Sequence, residues 1–183
     1  PGLQYGAYRL TAAREPDLYA SADIAWIRWI MDDLDLSDEQ RAQWIDFIQD
    51  QQNREDGSYR HITGHCKTHA FCHATGALNM LGGPHRFRPR LLDRYLNVEQ
   101  MPQWLDGIDW VRQWGASHDI WGAGVPLVCS PQTPQAWKDA LFDWLDAEVD
   151  PGTGYWRKGV EAKSPLEYLG GAFHIWPAYA ALD

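Results

Sequence analysis

Ten residues of the 183 concentrate the side chains best suited to chemistry: Gly64-His65-Cys66-Lys67-Thr68-His69-Ala70-Phe71-Cys72-His73. On a helix, His65, His69 and His73 fall at i, i+4 and i+8, on one face. His and Cys are the usual zinc ligands, and an i, i+4 His pair can share an ion. His69, Cys72 and His73 are therefore a candidate zinc set. The other reading is a metal-free polar pocket. A second cluster is Ser117-His118-Asp119-Ile120, flanked by Trp114 and Trp121. An Asp among aromatics suits a general acid, with His118 as its partner, and Trp faces can stabilise a carbocation. Asp119 as a helix-start charge complementing the dipole is the simpler alternative.

The elements that must position these groups come in copies. Phe47-Ile48, three residues, Gln52, four residues and Gly57-Ser58-Tyr59 form one unit. Trp144-Leu145, Val149 and Gly154-Tyr155-Trp156 repeat it, Tyr95-Leu96, Gln100, Gly107 and Trp110 form a looser copy, and Gln4-Tyr5-Gly6-Ala7-Tyr8 is a remnant. The glycines Gly6, Gly57, Gly107 and Gly154 are 51, 50 and 47 residues apart, and a period near 50 signals a repeat architecture. In each copy a helix ends on a glycine that permits a left-handed turn, and an aromatic folds back over the helix end.

The pattern predicts inner helices over 16–34, 67–81, 115–129 and 172–182. Outer helices start at the capping box Ser37-Asp38-Glu39-Gln40, near Leu91, and after Thr133 as N-cap with Pro134 at N1. A connection is expected over His61 to Gly64. Ser164-Pro165-Leu166-Glu167 predicts a second capping box and a short turn before Gly170-Gly171. Pro177 predicts a kink or a displaced helix start. With inner helices parallel, Ser21-Ala22-Asp23-Ile24, Thr68 to His73, Ser117 to Ile120 and Gly171-Ala172-Phe173-His174 fall in register. Polar groups there mark a cavity mouth. Asp23, His69, His73, Trp121, His174 and Trp176 are the substrate-contact candidates, and Asp119 with His118 the catalytic ones.

The repeat resembles the QW-type motif of squalene and oxidosqualene cyclases and protein prenyltransferase β subunits. Phe47 to Tyr59 matches it with Tyr for the final Trp, and Trp144 to Trp156 with Val149 for Gln. The resemblance implies an all-α fold, an α/α toroid of alternating outer and inner helices. It also implies a hydrophobic, polyprenyl-like substrate in an aromatic-lined cavity. His69 to Leu78 looks like the His-bearing helix of the prenyltransferase zinc site, and Gly170 to Trp176 like the other helix, but the Asp-x-Cys pair is missing. The cyclase Asp-x-Asp-Asp motif has only Asp32-Asp33-Leu34-Asp35 as a scrambled counterpart.

Sugar-active toroids (lyases, epimerases, hydrolases) remain a second class, with His69, His118, His174, Tyr168 and Arg60 as a possible set and an oligosaccharide as substrate. A hydrolase would need two cavity acids, Asp23 and Asp119. A non-catalytic ligand- or protein-binding scaffold is the third.

Length predicts one domain over 1–183. Eleven Trp supply apolar area and ring faces suited to sugars and cations. A net charge of −9 disfavours nucleic acid and anionic membranes. Three Cys do not make a disulfide framework, which favours a reducing, cytoplasmic setting. The sequence has no apolar run of transmembrane length. It begins inside a repeat and closes on a helix end, as expected of a processed or excised chain and of an open crescent with fewer hairpins than a closed toroid.

Overall fold

The computed structural model describes residues 4–60 and 65–181. The expected connection at 61–64 and the last residue of the expected final helix lie outside them. The fold is all-helical: among the described residues there is no strand, only two isolated antiparallel bridges. No helix is long and apolar enough to cross a membrane. The single domain expected from length divides into two compact units, Pro1–Leu91 and Leu92–Asp183.

In the first unit, α1 (Leu18–Ile30) starts where the Asp17 carboxylate accepts the Ala20 N–H. It stops four residues short of the expected Leu34, because Asp32 turns left-handed at φ 53° and the Arg28 guanidinium donates to the Asp33 carbonyl. α2 (Asp38–Gln49) has both bonds of the expected capping box at Ser37. α3 (Lys67–Leu81) has the expected bounds and stops at left-handed Gly82. α1 and α3 pack together through fully buried Ala22, Ala25, Ala70, Ala74 and Ala77. Small residues permit this close approach.

The turn after α2 is the repeat's signature. Gln52 bridges Tyr59 and Val149 bridges Trp156, with the same seven-residue spacing. Asn53 N–H donates to Ser58 C=O and Gly57 N–H to Asn53 C=O; Asp150 to Tyr155 and Gly154 to Asp150 repeat the pair. The aromatic does fold back: Trp156 Nε1 donates to Leu145 C=O at 3.0 Å, and Trp110 Nε1 to Leu105 C=O at 2.9 Å. Gly107 departs from its copies: it caps the helix before it with a right-handed φ of −75°, its N–H donating to Gln103 C=O, and one extra residue separates it from the aromatic Trp110.

Gln52 binds more than the turn. Its Nε2 donates to Gly57 C=O at 3.0 Å and Phe87 C=O at 2.9 Å, while its Oε1 accepts Phe87 N–H at 2.8 Å. Gln52→Ala strips these buried partners and is expected to cost about 2–3 kcal/mol of unfolding free energy in urea titrations. Val149→Ala, which removes only methyl groups from the equivalent position, is the comparison.

The second unit departs further from the expected elements. The segment read as an outer helix near Leu91 is instead a 3-10 helix (Arg90–Tyr95) at the junction, a 3-10 turn (Val98–Gln100) and a short α4 (Met101–Asp106). Leu92 and Tyr95, three apart, are the buried pair, the spacing that eclipses in 3-10 geometry. The inner helix expected over 115–129 is α5 (Gln113–Ala116), a π-helical turn (Ile120–Gly124) and α6 (Val125–Cys129). α7 (Gln135–Ala147) has Pro134, not Thr133, as its N-cap.

α8 runs unbroken from Pro165 to Ala180, through Gly170, Gly171 and Pro177. The expected turn and later start are wrong for a packing reason. A Cβ on Gly170 would lie 2.2 Å from the Trp114 ring, and one on Gly171 2.4 Å from Gln113 Oε1. The glycines let α5 seat against a continuous helix. The capping box at Ser164 does not form, because the Glu167 carboxylate accepts the Trp114 N–H at 2.9 Å instead.

Candidate active site

Two i, i+4 pairs face each other in the first unit. Tyr19 and Asp23 lie on α1; His69 and His73 lie on α3. The His73 Nε2–H donates to Asp23 Oδ1 at 2.7 Å. A carboxylate only accepts, so this bond fixes the neutral imidazole as the Nε2–H tautomer. The Tyr19 hydroxyl meets His69 Nδ1 at 3.0 Å. Tyr19 is buried, and burial pushes its phenol above the usual range, with Cys66 and Asp23 adding to the effect. The phenol therefore stays protonated and donates, placing the His69 proton on Nε2. The Tyr19 ring stacks on His65, His69 and His73, at centroid distances of 5.0, 5.8 and 5.1 Å.

His65, His69 and His73 thus share a face as expected. Cys72 is buried, and His69, Cys72 and His73 do not converge as a zinc-ligand set among the described residues. A ring nitrogen of His65 lies within 4.8 Å of one of His69, one helical turn before the expected His69–His73 pair. The residues of the expected site do not fit a zinc held as in prenyltransferases.

In the second unit, buried Ser117 and His174 join the inner helix to α8. Ser117 Oγ lies 2.8 Å from His174 Nδ1 and donates to Trp114 C=O at 3.2 Å, so it accepts the His174 N–H. The His118 ring packs edge-on to His174 at 4.8 Å, and Trp121 lies 6.2 Å from it. Trp176, also on α8, is half-exposed. His118 and Asp119 diverge. The Asp119 carboxylate lies 3.8 Å from the Arg94 guanidinium, which sits over the Tyr95 ring and donates to its hydroxyl. Burial, then the Asp119 charge, pushes the Tyr95 phenol up. Asp119 therefore belongs to an Arg-Tyr-Asp group rather than to an aromatic box formed by Trp114, which packs on Gly170, and Trp121.

Each unit thus links its two inner helices through a histidine. The expected register aligns His174 with Cys72, and the linking His of the first unit, His73, is one residue further on. Tyr19, Ser117 and Arg94 are missing from the sequence-based set. Tyr19 was findable, since it precedes Asp23 by one helical turn just as His69 precedes His73. Of the sugar-type candidates, Tyr168 is occupied structurally, accepting Ala162 N–H and donating to Val160 C=O, and Arg60 is exposed beside the Gly57 turn. Asp33 is tied to Arg28 at the exposed end of α1, away from the start of its helix. No family model matches the chain, and no curated protein or solved structure matches it.

Proposed function

We propose that the chain is an α/α-toroid repeat domain of the terpenoid cyclase and prenyltransferase type that serves as a proton-transfer enzyme on a polyhydroxylated substrate. The observation that carries this reading is the His73–Asp23 bond at 2.7 Å beside the Tyr19–His69 bond at 3.0 Å. The bonded His73–Asp23 pair supplies the base, with the half-exposed Asp23 carboxylate open to the substrate. Tyr19 orients His69 so that Nε2 carries a proton to give. One group that takes a proton and one that returns it suit elimination or epimerisation next to a uronate carboxylate, chemistry in which a positioned acid and base are effective. Cyclisation by protonating an alkene calls for a strong, enclosed acid. The two acids closest to that role are paired with cations, Asp119 with Arg94 and Asp33 with Arg28.

The test is incubation with uronate-containing oligosaccharides in D2O, reading solvent deuterium incorporation and new unsaturation by NMR. His73→Gln is expected to lower turnover at least about 1,000-fold, the combined loss of base and orientation, with helicity unchanged. Undiminished turnover in that variant ends the assignment. A hydrophobic, polyprenyl-like substrate is the second reading. It is favoured by the exposed stripe Leu166, Leu169, Phe173 and Trp176 on α8, at i, i+3, i+7 and i+10. Conversion of a polyprenyl diphosphate but no oligosaccharide would establish it instead.

A further inference from the structure

The second unit contains a cavity of about 320 Å³ that the proton-transfer reading does not use. Its walls come from the 3-10 segments, α4 and Asp119, all within one unit. The volume is at the small end of ordinary ligand sites, about 300–1,000 Å³. Two features give the lining its character. Tyr95 and Trp104 contribute aromatic walls, their rings tilted at 4.8 Å. Around them stand Arg94, Gln100, Gln103 and Asp119, a mixture of donors and acceptors.

Trp104 adds an independent observation. Its indole Nε1–H is buried and meets no acceptor among the described residues. The other tryptophans of this unit that bury their N–H with a partner donate to carbonyls: Trp110 to Leu105, Trp137 to Tyr95 and Trp156 to Leu145. A buried donor without an acceptor costs about 1–3 kcal/mol, and Trp104 is held beside the cavity in spite of it.

We propose that this cavity is a sugar-binding subsite, taking one pyranose-sized ring of an oligosaccharide. A sugar ring has apolar C–H faces that suit aromatic walls and hydroxyls that both donate and accept. The Trp104 and Tyr95 rings meet the C–H faces, the Gln100 and Gln103 amides meet hydroxyl oxygens, and Asp119 accepts a hydroxyl proton. The proposal rests on the proton-transfer reading for its substrate class only; binding is read separately from turnover.

The experiment uses the full chain on an array of neutral and uronate-containing oligosaccharides. Isothermal titration follows with the glycans that score. Saturable binding is expected, weakened about tenfold in Trp104→Phe, which shrinks the aromatic wall, and about threefold or more in Gln103→Ala. Far-UV circular dichroism and melting temperature should match the wild type. Absence of binding across the array at millimolar glycan overturns the subsite, and so does binding insensitive to both Trp104→Phe and Gln103→Ala. Trp104-dependent binding without turnover would keep the subsite and remove the enzyme reading; turnover indifferent to these variants would do the reverse.

Discussion

Gly57→Ala is expected to melt far below the wild type, while Gly154→Ala, at the equivalent turn, melts only a few degrees lower. Both glycines sit at φ 73°, so both substitutions carry the left-handed penalty, about 1–2 kcal/mol. The surroundings differ. A Cβ on Gly57 would lie 2.3 Å from the Arg88 carbonyl oxygen and 2.7 Å from Pro89 Cα, whereas nothing lies within 4 Å of one on Gly154. Backbone cannot step aside as a side-chain tip can. The 86–91 segment is also held to the turn, through Gln52 to Phe87 and through Leu91 N–H to Asp56 C=O. Overpacking adds about 1–3 kcal/mol, giving a loss on the order of 2–5 kcal/mol for Gly57→Ala. Thermal melts of the two proteins check it. Equal shifts would mean that the segment over Gly57 yields easily.

Acid should destabilise the chain well above the carboxylate range, through His85. Its ring is held by two directed bonds. The Tyr59 hydroxyl meets Nδ1 at 2.9 Å, and Nε2 meets Thr75 Oγ1 at 3.1 Å. Thr75 in turn donates to Phe71 C=O, and burial pushes the Tyr59 phenol up, so it stays a donor. Every proton in this relay has a fixed direction, and a charged imidazolium would break it at Nδ1. Burial holds His85 at about 4. The unfolded chain titrates near 6.5, so it binds the proton first as pH falls. Stability is unaffected above pH 6.5, declines from 6.5 to 4, and is then lower by about 3 kcal/mol. Urea unfolding from pH 7.5 to 4.5 should show this slope, and His85→Phe should flatten it despite a lower starting stability. A slope unchanged in that variant would assign the acid loss elsewhere.

Local signals were legible in the sequence. Ser37 with Gln40 announced α2, Gly82 announced the end of α3, and the Gly57 and Gly154 turns share backbone bonds that their common spacing suggested. Local pattern misleads where a distant side chain overrides local preference. Gly170-Gly171 reads as a break until Trp114 and Gln113 occupy the space over it. Leu91, Leu92, Tyr95 and Leu96 read as an α-helical face, although the buried pair also satisfies a 3-10 helix. The candidate site was half legible. His69, His73 and Asp23 were marked by type and spacing, but their pairing across α1 and α3 was not. Asp119 was marked by its aromatic neighbours in sequence, while its partner Arg94 lies 25 positions away.

The π-helical turn at Ile120–Gly124 gives the inner helix of the second unit a phase as well as a direction. Such a turn holds one residue more than an α-turn, so it acts as an angular offset between the helical segments on its two sides. Ser117 and His118 lie on one side of it, and Pro126, Leu127 and Val128, buried in the core, on the other. One residue is about 100° of rotation. Losing one there would regularise the helix and swing either the core anchors or the His174 contact out of alignment. The constraint on this stretch is therefore arithmetic: Gly122, Ala123 and Gly124 can exchange among small residues, but its length is set.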